Sequence, residues 1–402
     1  MLSTDKKIFI TLFFSIFATV TGVGIVVPLL PVYAHTLGAG GFGIGMIFGS
    51  FSLARTFFLP YFGRLSDRKG RKPFIVAGLL AYALISLVFV FSDTIEMLVS
   101  IRFLQGFASA MIMPVVQAYI GDITPPGREG VIMGLFNTSI FFGLSLGPVM
   151  GGVINDRFSL TATFFCMGVL SLGAFLACLF LLPPTKKERM TTDARDLGKW
   201  WSILGDSTIA GIFFFRLVYT GCIGIIWGFL PVLADTEFSL SSTAIGFLVM
   251  EGVLVGGLMQ MPMGYLADRL NRRRMIISGG LLIAAAIFSF IWATGFWGLF
   301  VSSLAFGVGG GIAMPAIMAI AVVKGNDVSA MGSVMALLTV AHSLGMLAGS
   351  LLAGVMMDVF SLRYAFPLGG VLMAGCVLYL IVFPPVVKNV PVSVDAVRGD
   401  MP

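Results

Sequence analysis

The ten residues Gly63 to Lys72, GRLSDRKGRK, stand between two long apolar stretches and carry five cations in a chain only 11% charged. The pattern returns, weakened, at Gly264 to Arg273, GYLADRLNRR. Gly63, Leu65, Asp67, Arg68 and Arg71 are matched by Gly264, Leu266, Asp268, Arg269 and Arg272, each 201 residues on. Other pairs share this offset to within one residue. Leu30-Pro31-Val32 recurs as Leu230-Pro231-Val232, Met113-Pro114 as Met314-Pro315, and Gly106 as Gly307. Gly143 and Gly147 recur as Gly345 and Gly349, and Asp156-x-Phe158-Ser159-Leu160 as Asp358-x-Phe360-Ser361-Leu362. A parallel repeat of this length implies two bundles related by an axis along a membrane normal, with a site at their interface.

Composition supports the membrane reading. Of 402 residues, 58% are hydrophobic, and the mean hydropathy is +1.01. A soluble domain is about a quarter charged, so there is too little polar surface here to cover a globule. Spans of roughly 20 apolar residues fit better. They are expected at 8–33, 42–62, 74–92, 97–120, 130–154, 163–182, 208–233, 243–263, 275–293, 297–323, 330–356 and 363–384. The fold class expected is therefore an all-α membrane protein with twelve transmembrane helices in two parallel-repeat six-helix bundles. Residues 1–182 and 207–402 form the halves. The stretch 183–206, opened by Pro183-Pro184, forms a cytoplasmic linker, with Trp200 and Trp201 at headgroup level.

The net charge of +6 is explained by its location, and nucleic acid is not an expected partner. Of 25 Lys and Arg, 20 fall on the side holding both termini; Arg157 and Arg363 fall opposite, and three lie within spans. That asymmetry places both termini in the cytoplasm of a cell-membrane protein. The first apolar run, behind Lys6 and Lys7, is too long for a signal-peptide core. Cys166, Cys178, Cys222 and Cys376 all lie in spans, without metal-ligand spacing, and read as reduced packing residues. The sequon at Asn137 lies inside a span and is discounted.

Gly63-x-Leu65-x-Asp67-Arg68-x-Gly70-Arg71-Lys72 resembles the loop signature of the major facilitator superfamily of secondary transporters. Arg102-x-x-Gln105-Gly106 in span 4 resembles a motif of its proton-coupled members. Gly143-x-x-x-Gly147-Pro148-x-x-Gly151-Gly152 in span 5 resembles the signature of twelve-helix drug:proton antiporters. The resemblance runs from span 1 to span 12. It implies alternating access, export rather than import, a monomer, and no cofactor. It also implies a conformational latch in which Asp67, Arg68, Gly70 and Arg71, after Gly63, work with an acid at the end of span 4, here Asp122. Physically, Gly143, Gly147 and Gly151 fall four apart and let a neighbouring backbone approach, while Pro148 removes one backbone hydrogen bond. Such a helix suits either static packing or a moving seam between bundles.

Ionisable groups inside spans are costly, and each is a functional candidate. They are Arg55 in span 2, Arg102 in span 4, Arg216 in span 7, Glu251 in span 8 and His342 in span 11. Glu251 is the one clearly intramembrane carboxylate, suited to loading a proton or a cationic substrate. The alternative is a fixed ion pair with Arg216, whose depth differs by about 6 Å at the helical rise. For Arg102 the resemblance implies an influence on proton transfer, whereas the residue read by itself could equally anchor its helix to backbone carbonyls. Arg55 binds an anionic group or pairs elsewhere, and His342 is a switch or a packing residue.

Many proton-coupled drug exporters carry an acid in span 1; here the polar residues there are Thr19 and Thr21. Three intramembrane arginines against one deep carboxylate argue for an anionic or zwitterionic substrate. Two transport readings follow. The first is proton-coupled efflux of small lipophilic compounds, suited to a cavity rich in the chain's 37 Phe and 23 Met. The second is exchange or uptake of an organic anion or sugar-like metabolite. A membrane-embedded enzyme or receptor is opposed, because no metal cluster, nucleophile–base constellation or appended domain is visible. The glycine run Gly307 to Gly311 follows no strand and lacks the ending of a phosphate loop.

Overall fold

In hydrocarbon every backbone N–H and C=O must find its partner within the protein, and a helix does this segment by segment. The computed structural model describes residues 3–125, 128–183, 203–327 and 331–382, and its long elements are all helices. They are α1 (Ser3–Val26), α2 (Leu29–Thr36), α3 (Gly41–Lys69), α4 (Arg71–Val88), α5 (Ile95–Ile123), α6 (Glu129–Arg157) and α7 (Leu160–Leu181). The second half holds α8 (Ser207–Thr236), α9 (Ser242–Arg269), α10 (Arg272–Ser289), α11 (Gly295–Asp327), α12 (Met331–Val359) and α13 (Ala365–Val382). Among the described residues, twelve segments are long and apolar enough to cross a membrane, with α1 and α2 sharing one of them, Asp5–Thr36.

Helix boundaries follow side-chain chemistry. Thr94, Ser159, Ser241 and Asn271 cap α5, α7, α9 and α10 by accepting from Met97, Ala162, Ala244 and Arg274 N–H. Gly70 ends α3 at φ 93°, a conformation that suits glycine. Span 1 breaks at Val27-Pro28, whereas its counterpart α8 continues unbroken through Pro231. Pro28 has no proline partner in the second half, and the break is local to it.

The two halves repeat each other's packing. In the first, α1 lies on α6 and α3 on α5; in the second, α8 lies on α12 and α9 on α11. Gly106 is pressed to the Phe51 backbone, and Gly307 to the Gly252 backbone. Between halves two seams run, α3 against α12 and α6 against α9. The chain alternates direction at each span. One face, the termini face, therefore holds residues 69–71, 123 and 269–272, and the other, the far face, holds 36–41, 157–160, 236–242 and 359–362.

Asp206 caps α8 through Thr208 and Ile209 N–H (2.8 and 3.2 Å) and pairs with Lys324 at the end of α11 (2.9 Å). Burial raises its carboxyl, but Lys324 and the two N–H groups outweigh that and hold it below the usual carboxylate range. The contribution to stability is present above the unfolded carboxylate pKa and is lost as the pH falls through the depressed folded value. The linker reading for 183–206 rests largely on residues 184–202, which lie outside the described residues, as do Trp200, Trp201 and the tail from 383 on.

Candidate functional site

Arg55 lies midway along α3, and its Nε is buried without a hydrogen-bond partner. Its guanidinium stands 5.7 Å from the Phe51 ring. Together with Thr56, Leu59 and Pro60 it lines a pocket whose opposite wall is Ala336, Thr339, Val340 and Ser343 of α12. This pocket sits on the termini side of the α3–α12 seam. It brings Arg55 of one half next to the helix that carries His342 of the other.

Arg216 on α8 donates to His342 Nδ1 (3.3 Å) and stands 3.4 Å from Met314 Sδ. A guanidinium only donates, so Nδ1 must accept and the His342 proton sits on Nε2. His342 is thus neutral here and orients Arg216. Arg102 is 6% exposed. It donates to Gln105 Oε1 (3.1 Å) and Ile47 O (3.4 Å) and lies 4.4 Å from the Phe51 ring centroid. It fastens α5 to α3 within one half. Tyr82 Oη, on α4, is buried and unpartnered.

None of Arg55, Arg102 and Arg216 pairs with a carboxylate among the described residues. Glu251 is 5% exposed, and neither carboxylate oxygen has a hydrogen-bond partner. The ion pair between Glu251 and Arg216 is therefore not formed. Arg216 lies nine residues from the termini end of α8 and Glu251 nine residues from the far end of α9, so the two stand at different depths, and Arg216 meets His342 of α12 instead. In span 1, Thr19 and Thr21 bond back to Ser15 O and Phe17 O of their own helix (2.8 and 2.7 Å).

Three of the loop residues do come together. Arg71 Nε meets Asp122 Oδ2 at 3.1 Å, and Arg71 Nη1 meets Asp67 Oδ1 and donates to Ser66 Oγ at 2.8 Å. Arg68 makes no ion pair among the described residues, and Gly63 has open space around it. The second copy keeps Arg272 with Asp268 (3.5 Å) but has no acid in the place of Asp122. The Arg272 Nε, whose counterpart on Arg71 meets Asp122, donates instead to Ala267 O (3.0 Å).

The glycine helix α6 faces two ways. Gly143, Gly147 and Gly151 press on the α1 backbone at Phe17 to Ile25, inside their own half. Gly152 and the Pro148 carbonyl face α9 across the inter-half seam, against Ser242 and Gly246, while the Pro148 ring packs on Gly24 of α1. Four-residue spacing shows a shared face but not which neighbour occupies it. In α11, Gly307, Gly309, Gly310 and Gly311 pack against Gly252, Gly279, Tyr219 and Met259. All four cysteines are free, and among the described residues no cluster of three His, Cys, Asp or Glu could hold a metal.

Sequence reading gave no role to Asp156 and Asp358. Each reaches across an inter-half seam on the far face: Asp156 to Ser242 and Thr243, Asp358 to Gly41 and Phe42. Their recurrence at the ends of spans 5 and 11 was the available signal.

Two pseudosymmetric six-helix halves, joined across the far face and holding an Arg55-lined pocket on the termini side of the α3–α12 seam, define a secondary transporter built for alternating access. The Major Facilitator Superfamily profile matches residues 12–223 and 212–398, and the chain belongs to that family. It is similar to an MFS-type transporter of Methanocaldococcus jannaschii, 29% identical over 94% of this chain and 98% of that protein. It is 26% identical to the quinolone resistance protein NorA of Staphylococcus aureus, covering 94% of this chain and 96% of that one. The fold superposes on the human organic anion transporter TETRAN with a TM-score of 0.69 at 16% identity, over 94% of this chain and 99% of that one. On the nucleoside transporter NupG the TM-score is 0.77 at 14% identity, over 93% and 98%.

Proposed function

We propose that this chain carries an organic anion between two faces of the plasma membrane. The observation that supports this is the buried cationic centre: Arg55 from one half and Arg216 from the other, without a carboxylate partner. An uncompensated buried charge is expensive, and an anionic substrate supplies the missing charge in the position where the halves meet. Fork-shaped guanidinium groups suit a carboxylate or phosphate better than a hydroxyl-rich neutral molecule, which favours an anion over a sugar. The test is ligand-dependent thermal stability of the purified protein in detergent. Mono- and dicarboxylates are expected to raise the midpoint, lipophilic cations and hexoses are not, and Arg216→Gln is expected to remove the rise. Stabilisation by cations alone would overturn the reading.

A second reading is efflux of lipophilic compounds, favoured by the full-length likeness to proteins whose names denote quinolone and multidrug resistance. Under either reading Glu251 is the candidate proton carrier, because it is buried without a cation to hold it charged. Glu251→Gln is expected to abolish proton movement that accompanies substrate while leaving substrate exchange intact. Proton flux unchanged in that variant would remove Glu251 from coupling.

Asp67, Arg71 and Asp122 act as a latch on the termini side in this proposal, which places both termini in the cytoplasm on the strength of the Lys and Arg distribution. Asp67→Asn is expected to cut transport several-fold in correctly inserted protein. Full activity in that variant would leave Arg71 with a packing role only. The six-helix halves, 1–182 and 207–402, move as units around the centre.

A further inference from the structure

We infer that Asp156 and Asp358 form a paired gate that locks the far face shut, each acid capping a helix of the opposite half. Asp358, in the last turn of α12, accepts from Gly41 N–H at 2.5 Å and Phe42 N–H at 2.8 Å, at the start of α3. Asp156, in the last turn of α6, accepts from Ser242 N–H at 3.0 Å, Thr243 N–H at 2.8 Å and Thr243 Oγ1 at 2.6 Å, at the start of α9. Asn155 Nδ2 adds a bond to Ser242 Oγ at 2.8 Å.

The placement has no explanation within either half. A carboxylate in the last turn of a helix faces the negative end of its own dipole and is disfavoured there. Across the seam the same carboxylate meets the positive end of another helix and satisfies two of its orphan N–H groups. Both acids make the same fork, so the arrangement obeys the pseudo-two-fold relation between halves.

The backbones beside each fork approach closely enough to require glycine. A Cβ on Gly41 would meet the Gly354 carbonyl carbon at 3.0 Å, and one on Gly152 would meet Ser242 C at 2.6 Å. Further along the α3–α12 seam, toward the termini face, the helices part around the pocket beneath Arg55. A rocking motion that closes that pocket must pull both forks apart. Because the halves move as units, the two forks release together, and the gate opens in one step. This holds whatever the substrate is.

The experiment measures two distances by double electron–electron resonance in a background with the four cysteines replaced. One spin-label pair sits at Phe91 and Trp292 on the far face, both exposed. The other sits at Tyr61 on α3 and Met261 on α9, toward the termini face and exposed. Asp156→Asn and Asp358→Asn each retain one acceptor but lose the charge and half of the fork. Each is expected to shift the population about tenfold from far-face-closed to far-face-open, since a hydrogen bond to a charged group carries that much. The far-face distance then lengthens while the termini-face distance shortens. Asp93→Asn, an exposed acid elsewhere on the far face, is expected to change neither distance. A merely destabilising substitution broadens both distributions without this reciprocal shift. Unchanged distances in both single variants, or broadening alone, would overturn the gate.

Discussion

Under the proposed anion reading, replacing Arg55 or Arg216 with alanine will reduce anion transport by at least about 30-fold, because removing one partner of a buried charged contact costs about 2–5 kcal/mol and each 1.4 is tenfold. The two residues stand on opposite halves, Arg55 on α3 and Arg216 on α8, and neither is held by an acid. Arg216 is steered by neutral His342, a contact that fixes its direction without cancelling its charge. Lysine at either position will recover part of the rate, because an ammonium cannot form the two-pronged contact of a guanidinium. Arg102→Ala will differ in kind. That side chain is bonded to Ile47 O and Gln105 inside its own half, so its loss will lower thermal stability more than substrate affinity. Concentration-dependent uptake in proteoliposomes and unfolding midpoints in detergent separate the two outcomes. Equal loss of stability in all three variants would contradict the assignment.

Gly147→Val will give the largest structural effect. A Cβ on Gly147 would already lie 2.7 Å from Gly24 Cα and 2.8 Å from its carbonyl carbon. Those are backbone atoms of α1 and cannot turn aside as a side chain can. Overpacking a well-filled interior costs about 1–3 kcal/mol, and here a whole helix must move. The expected result is a sharply lowered unfolding midpoint or loss of inserted protein. Gly173→Val, at a site with nothing within 4 Å, is expected to be neutral. Gly349→Val should match Gly147→Val, because Gly349 presses on Gly221 of α8 as Gly147 presses on α1. A neutral Gly147→Val would mean that the α1–α6 contact is not rigid.

Much of this fold is legible in the repeat centred on Gly63 to Lys72. Offsets of 200 to 202 residues pair Gly106 with Gly307 and Gly147 with Gly349, and the structure gives each pair the same backbone contact. The buried charges are legible too, because a charged residue in an apolar span stands out by its cost alone. Their partners are not legible. Counting from span ends read off the sequence puts Glu251 and Arg216 about 6 Å apart in depth at the helical rise, whereas the helix bounds set each nine residues from opposite faces. Rotation about each helix axis, on which all-round hydrophobicity carries no information, decides partners as well. The same limit applies to Gly143, Gly147 and Gly151, whose spacing marks a close contact without naming α1 as the partner. Asp156 and Asp358 escape notice for another reason. Acids at the ends of spans read as ordinary interfacial residues until the opposite half is in place.

Counterflow in proteoliposomes tests the central claim most directly. Vesicles are loaded with an unlabelled organic anion, lipophilic cation or hexose, and entry of the labelled compound is followed for wild type and for Arg55→Gln. Saturable exchange of an organic anion that Arg55→Gln abolishes is the expected result. Saturable exchange of a lipophilic cation alone, undiminished in Arg55→Gln, would contradict the anion site and restore drug efflux as the function.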